Sequence, residues 1–235
     1  GADDSTSWPH WLAKDFPDIG VWSLGYAASP TRWGHFLRKK HDHGFTMPLP
    51  DRAGEVLNLM VQQKLGDRPL MFICHSLGGL LAKQILRTSS DSIDPSKHAV
   101  FERTHAVQFL ATPHAGAELA SLVDAFRRVC RSTVAIEDLR QHDPHLRELY
   151  TWYRHHSTPR IATATYYEMK PVAGFTIVNP TSAHPGVGAD PVASDEDHIS
   201  IAKPKSTSAQ VCETARSLIR DHILKGPLSG PGTPL

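Results

Sequence analysis

Three residues in one order carry the chemistry this chain suggests: Ser76, Glu168 and His198. A serine hydroxyl is a weak nucleophile at neutral pH and needs a nearby base to take its proton. Histidine suits that task because its ordinary pKa lies near neutrality, and a carboxylate behind it holds the tautomer and stabilises the imidazolium. Ser76 stands in Pro69-Leu70-Met71-Phe72-Ile73-Cys74-His75-Ser76-Leu77-Gly78-Gly79, where an apolar run passes at once into a helical pattern. A serine at a sharp strand-to-helix turn has its hydroxyl pushed out beyond the sheet, and the turn needs small neighbours. Gly78 supplies smallness after Ser76, and Cys74 stands where the G-x-S-x-G pattern has glycine. A Gly-rich turn without chemistry would need no serine.

His198 sits late, between the last predicted strand and the closing helix. His114 comes too early to be the base and is assigned to the wall of the substrate pocket, as is His75; His184 remains a second candidate for the base. Glu168 directly follows a predicted strand, and Asp190 and Asp195 remain candidates for the acid. Glu196 and Asp197 read as part of a solvated acidic loop. An oxyanion hole needs two backbone N–H donors. Leu77, after the nucleophile, supplies one; the other belongs to a loop after an earlier strand, for which Gly1 and Ala2 are the candidates.

The elements that must hold these residues follow from periodicity and turn chemistry. Ser7 and Pro9 open a short helix at Trp8–Leu12 that Pro17 stops. Ile19–Tyr26 reads as a strand, and Ala27–Pro50 as an irregular stretch. His35, His41, Asp42 and His43 within it lack a second ligand pair at metal-binding spacing, so no metal site is expected. Asp51 caps a helix with Ala53, Val56, Leu57, Met60 and Val61 on one face, ended near Gly66. The elbow strand follows, then a helix over Leu77–Arg87, a loop over Ser89–Ser96 and a strand over His105–Ala111. The pattern from Glu118 to His156 is helical, broken near Arg131 and Asp143-Pro144. Ile161–Tyr167 and Phe175–Val178 read as strands, Asn179–Asp197 as a Pro/Gly-rich loop, and Ser208–Lys225 as an amphipathic helix. Strands separated by helices imply an α/β layer architecture with a mainly parallel sheet. Ser76, the Thr112-Pro113-His114 segment, Glu168 and His198 each follow a predicted strand, which gathers them at the carboxyl edge where such sheets bind ligands.

Composition narrows the class. With 25 Lys and Arg against 24 Asp and Glu, the formal net charge is +1, which argues against a nucleic-acid partner. Forty per cent hydrophobic residues suffice for one large domain. Cys74, Cys130 and Cys212 are sparse and unpatterned, as in a reducing compartment, and no apolar run approaches the roughly 18 residues of a membrane span. A soluble, cytoplasmic domain over residues 1–225 is expected, with 226–235 as a Gly/Pro-rich linker or tail. No cofactor motif is present.

The order serine, acid, histidine is that of α/β-hydrolases. The strings Phe72-Ile73-Cys74-His75-Ser76-Leu77-Gly78-Gly79-Leu80-Leu81-Ala82-Lys83-Gln84, Phe109-Leu110-Ala111-Thr112-Pro113-His114-Ala115-Gly116, Tyr167-Glu168 and Asp197-His198-Ile199-Ser200-Ile201-Ala202-Lys203-Pro204 resemble lipase/esterase-type α/β-hydrolases. The resemblance is to the group that includes the SERAC1-like and PGAP1-like serine esterases, and it covers about Trp8 to Lys225. It implies an α/β-hydrolase fold and hydrolysis of lipid-like acyl esters by Ser76, Glu168 and His198, with transient membrane contact. It also implies a His-Gly oxyanion strand before Gly1, and further domains of the same polypeptide with self-assembly, in which the hydrolase acts as a switched effector. The region from Glu118 to His156 lies where lipases of this fold insert a helical lid; ordinary core helix is the other reading. The competing function is a catalytically silent fold of the same type serving as an interaction module.

Overall fold

The structure, a computed structural model, describes residues 7–25, 48–114, 143–172, 174 and 176–225. Four strands form one sheet in the order β1-β2-β3-β4: β1 (Leu70–His75), β2 (Thr104–Leu110), β3 (Ala162–Lys170) and β4 (Val192–Asp197). All three pairings among these four strands are parallel. Parallel neighbours require crossovers, and helices supply them: α3 (Leu77–Ser90) and α4 (Pro95–Arg103) stand between β1 and β2. The short α6 (Pro180–Ala183) stands between β3 and β4. The other helices are α1 (Trp8–Asp15), α2 (Leu49–Gln62), α5 (Asp143–Ser157) and α7 (Gln210–Leu218), the last continuing as a π-helical turn over Ile219–Leu224.

The sheet is covered on both faces, and strand alternation decides which side chain goes where. Cys74, Val107 and Phe109 pack with Ala82 and Leu86 of α3 and with Tyr153 of α5. Outside them, Ala53, Val56, Leu57 and Met60 of α2 meet Leu81 and Ile85 of α3 and Val100 of α4. On the opposite face Ile73 and Leu110 join Val211 and Cys212 of α7. There Leu12 of α1 packs with Ala215 and Ile219, and Met71 and Ile73 lie against them. Buried Gln108 points to this face and donates from Nε2 to the Val211 carbonyl at 2.9 Å.

Several elements depart from the sequence reading. Residues 19–25 are not a strand; Val21, Trp22 and Leu24 are exposed, with no described strand beside them to complete a ladder. β-propensity without a pairing partner does not make a strand. Ile177 and Val178 likewise lie in a bend rather than a strand, although both are buried. Conversely, Val192–Asp197 forms β4 within the expected loop. Its Val-Ala-Ser-Asp-Glu-Asp sequence has weak β-propensity, but it pairs with the edge of β3, and charged residues are common on such edge strands. Helix α4 replaces the end of the expected loop at Ser89–Ser96, with Asp94 as N-cap accepting the Ser96 N–H at 2.9 Å and Pro95 in the first turn. The Asp51 helix begins earlier, at Leu49. Of the proposed lid region, residues 118–142 lie outside the described residues; α5 packs Leu146 and Leu149 against Leu80 of α3 as core.

At Gly79, helix α3 lies tightly against β2 and the segment that follows it. A Cβ there would collide with the Thr112 side chain and the Phe109 ring. Gly79→Ala should therefore force α3 away from β2 and cost about 1–3 kcal/mol, as overpacking does, measured by urea unfolding. An alanine variant as stable as the parent would contradict this packing.

Candidate active site

Parallel strands bring their carboxyl ends to one edge, and the candidate residues collect there. Ser76 lies between β1 and α3 with φ 55° and ψ −129°, a conformation that L-residues other than glycine seldom adopt. Such strain costs roughly 1–3 kcal/mol and is held only by surrounding structure. Here the Ser76 N–H donates to the Leu110 carbonyl at 2.9 Å, and the Ser76 carbonyl accepts the Gly79 N–H at 3.0 Å. The turn leaves Leu77 as the first residue of α3, where backbone N–H groups have no intrahelical acceptor. Cys74 lies in the core on the other side of the turn, and burial pushes its thiol up to about 12.

His198 stands one residue beyond β4, in a turn that Asp197 organises. The Asp197 carboxylate accepts the N–H groups of Ile199 and Ser200, both at 2.8 Å, and these bonds, that of Ser200 foremost, hold its pKa below the ordinary range. Ser200 donates from Oγ to Glu196 at 2.6 Å. The turn sends the His198 ring inward, with Nε2 at 3.0 Å from Ser76 Oγ and Nδ1 at 3.3 Å from Glu168 Oε1. Because a carboxylate can only accept, Nδ1 carries the proton and Nε2 turns its lone pair to the serine hydroxyl. Serine, histidine and glutamate are all nearly inaccessible to solvent.

Glu168 lies within β3, opposite Ser194 of β4 and beside a register irregularity before Lys170, rather than after the strand. Its Oε1 also accepts the N–H groups of Ile177 at 2.9 Å and Val178 at 2.7 Å. The bend at these two residues, misread as a strand, thus orients the carboxylate. Apolar residue types gave no signal of that task, which belongs to their backbone.

The competing candidates are engaged elsewhere. The Asp195 carboxylate pairs with Lys170 at 3.0 Å, and Asp190 lies on the surface with its carboxylate 3.6 Å from His184 Nε2. His184 Nδ1 accepts the Gly186 N–H at 2.8 Å. His75 Nε2 lies 2.6 Å from the main-chain oxygen of His198, and the two rings are 5.0 Å apart. Burial, followed by the His198 charge, holds the pKa of His75 below its usual value. The His114 ring is buried edge-on to Phe109 at 4.5 Å, and the backbone N–H of His114 donates to the Ser182 carbonyl at 2.6 Å. Gly1, Ala2 and the 35–43 histidine cluster lie outside the described residues. Among the described residues no group of three or more His, Cys, Asp or Glu could hold a metal, and no helix is long and apolar enough to cross a membrane.

Lys83 lies one helical turn beyond Gly79 on α3, and its residue type gives no sign in the sequence that it is buried. Its ammonium has no hydrogen-bond partner among the described residues and faces Tyr153, Phe109 and Tyr150 with ring centroids at 4.7, 5.4 and 5.6 Å. Burial lowers its pKa to about 7, and its charge adds to the burial that depresses His114. Between about pH 7 and the unfolded value of 10.5, the unfolded chain binds a proton that the folded one does not, so this group makes stability rise with pH. Its penalty is full below about pH 7. Lys83→Met should therefore raise stability most at or below neutrality, with the advantage over the parent shrinking towards pH 10 in urea titrations. A pH-independent difference would count against a desolvated amine.

Comparison with curated proteins finds the SERAC1 proteins of human and mouse, 28% and 29% identical over 229 residues, and that of zebrafish, 25% identical over 228 residues. Each alignment covers 94% of this chain and 34% of the relative. The chain is thus SERAC1-like over nearly all its length and spans about a third of these relatives. No family model matches. No solved structure matches either.

Proposed function

We propose that the chain is a serine hydrolase of the α/β-hydrolase type that cleaves carboxylic esters through an acyl-enzyme. The observation that carries this is the unbroken buried chain from Glu168 through His198 to Ser76, with links of 3.3 and 3.0 Å. In this reading His198 Nε2 takes the Ser76 proton as Oγ attacks the ester carbonyl. Glu168, charged and fixed by two backbone N–H groups, stabilises the imidazolium. The Leu77 N–H contributes to an oxyanion hole for the tetrahedral oxygen. His198 then returns the proton to the leaving alcohol, and water repeats the cycle to release the acid and regenerate Ser76. No step requires a metal or cofactor.

The relation to SERAC1, together with the lipase-type motifs, supports a lipid-like acyl ester as substrate, and residues 1–225 as the hydrolase unit of a longer polypeptide. His114, buried at the end of β2, forms part of the pocket wall in this reading. A silent interaction module would have no use for the strained Ser76 backbone or for a buried carboxylate behind the histidine.

A fluorophosphonate probe should label Ser76 in active protein, with labelling lost in Ser76→Ala. Hydrolysis of a p-nitrophenyl ester should fall on the order of 10³–10⁴-fold in kcat for Glu168→Gln, with the fold retained by circular dichroism. Unlabelled, folded full-length protein would leave the silent-module reading in place.

A further inference from the structure

We propose that His75 is a positioning residue, whose ring N–H holds the main-chain carbonyl of His198 so that the His198 side chain stays within reach of Ser76. The inference rests on the serine-hydrolase reading for its kinetic consequence, though the contact itself does not.

The sheet alone cannot keep Ser76 and His198 together. They follow β1 and β4, which stand at opposite ends of the four-strand order. At about 4.8 Å per strand spacing, those ends are some 14 Å apart, and no ladder joins them. The gap is closed by two consecutive residues, His75 at the end of β1 and Ser76 in the turn after it. Ser76 Oγ meets the His198 ring at 3.0 Å, and His75 Nε2 meets the His198 carbonyl at 2.6 Å. Ser76 and Glu168 hold the two nitrogens of the ring, and His75 holds the backbone from which the ring projects. With the main chain held on the β1 side as well, the ring keeps the geometry that proton transfer to Ser76 demands.

The residue type fits the task. A carbonyl accepts only, so His75 must carry its proton on Nε2. A lysine or arginine could also donate, but it would bring a permanent charge beside the imidazolium that forms on His198, against which like charges repel. With the rings 5.0 Å apart, that repulsion would oppose the step the base performs. Burial keeps His75 on the neutral side, so it donates without a charge. Its donor nitrogen is then committed to the chain and not to an acyl group, which separates this role from that of a pocket wall.

His75→Gln keeps an amide N–H near the position of Nε2, whereas His75→Leu removes the donor. Two p-nitrophenyl esters, a short and a long acyl, should both lose roughly 10–100-fold in kcat in His75→Leu, with KM changed less than about twofold. Fluorophosphonate labelling of Ser76 should slow in parallel, and His75→Gln should recover most of both. The downfield NMR proton of His198 Nδ1–H should broaden or vanish in His75→Leu and return in His75→Gln. A loss that depends on acyl length or sits in KM would overturn the positioning role in favour of substrate contact. So would a glutamine variant no better than leucine, or a leucine variant equal to the parent. Wild type that never labels at Ser76 would count against the hydrolase reading instead, and the NMR proton would still decide whether His75 positions His198.

Discussion

Everything at the candidate site depends on the four strands running in the same direction. Parallel pairing places their carboxyl ends along one edge, and each end contributes something different there. From β1 comes the turn with Ser76, from β2 the buried His114, from β3 the carboxylate of Glu168, and from β4 the turn with His198. Reversing one strand would carry its residue to the far edge, more than a strand length away. The sheet can be all-parallel only because helices cover both faces, and the small residue at Gly79 lets α3 approach β2 closely enough to do so.

Strain and burial at this edge have identifiable supports. The Ser76 backbone is held by one bond to the Leu110 carbonyl and one from Gly79. Glu168 is withdrawn from water; its Oε1 accepts two backbone N–H groups and faces His198, while its Oε2 has no hydrogen-bond partner among the described residues. The turn after β4 is fixed by Asp197 and Ser200. Thus the acidic residues near His198 in sequence build the loop that aims it, while a carboxylate 30 residues earlier lies behind its ring. Lys83 lacks even that support: it is a buried amine with aromatic faces around it and no hydrogen-bond acceptor among the described residues, and its protonation weighs against the fold.

The relation to SERAC1 runs along nearly the whole chain but over only a third of each relative. That breadth suits a unit that folds around one sheet. At 25–29% identity it gives no residue a role, so the functional reading rests on the hydrogen-bonded chain through His198 and on its order in the sequence.

Much of the candidate site is legible in the residues alone. Ser76 was marked by its strand-to-helix turn, His198 by its late position, and Glu168 by the strand containing it, because local periodicity and turn chemistry are written in neighbouring residues. The helices α2 and α3 and the strands β1, β2 and β3 were legible for the same reason, their apolar periods being strong. Strand β4 was not, since Val192–Asp197 becomes a strand only by pairing with β3; nor was the coil at residues 19–25, whose apolar residues suggested a strand but have no described partner. The backbone donors of Ile177 and Val178, the diversion of Asp195 and Asp197 to other partners, and the grip of His75 on His198 were equally out of reach. Each is a contact between chain segments or depends on the path of the backbone, and residue types alone carry no record of distance. Order along the chain determined which groups could work together; tertiary structure decided which atoms face one another.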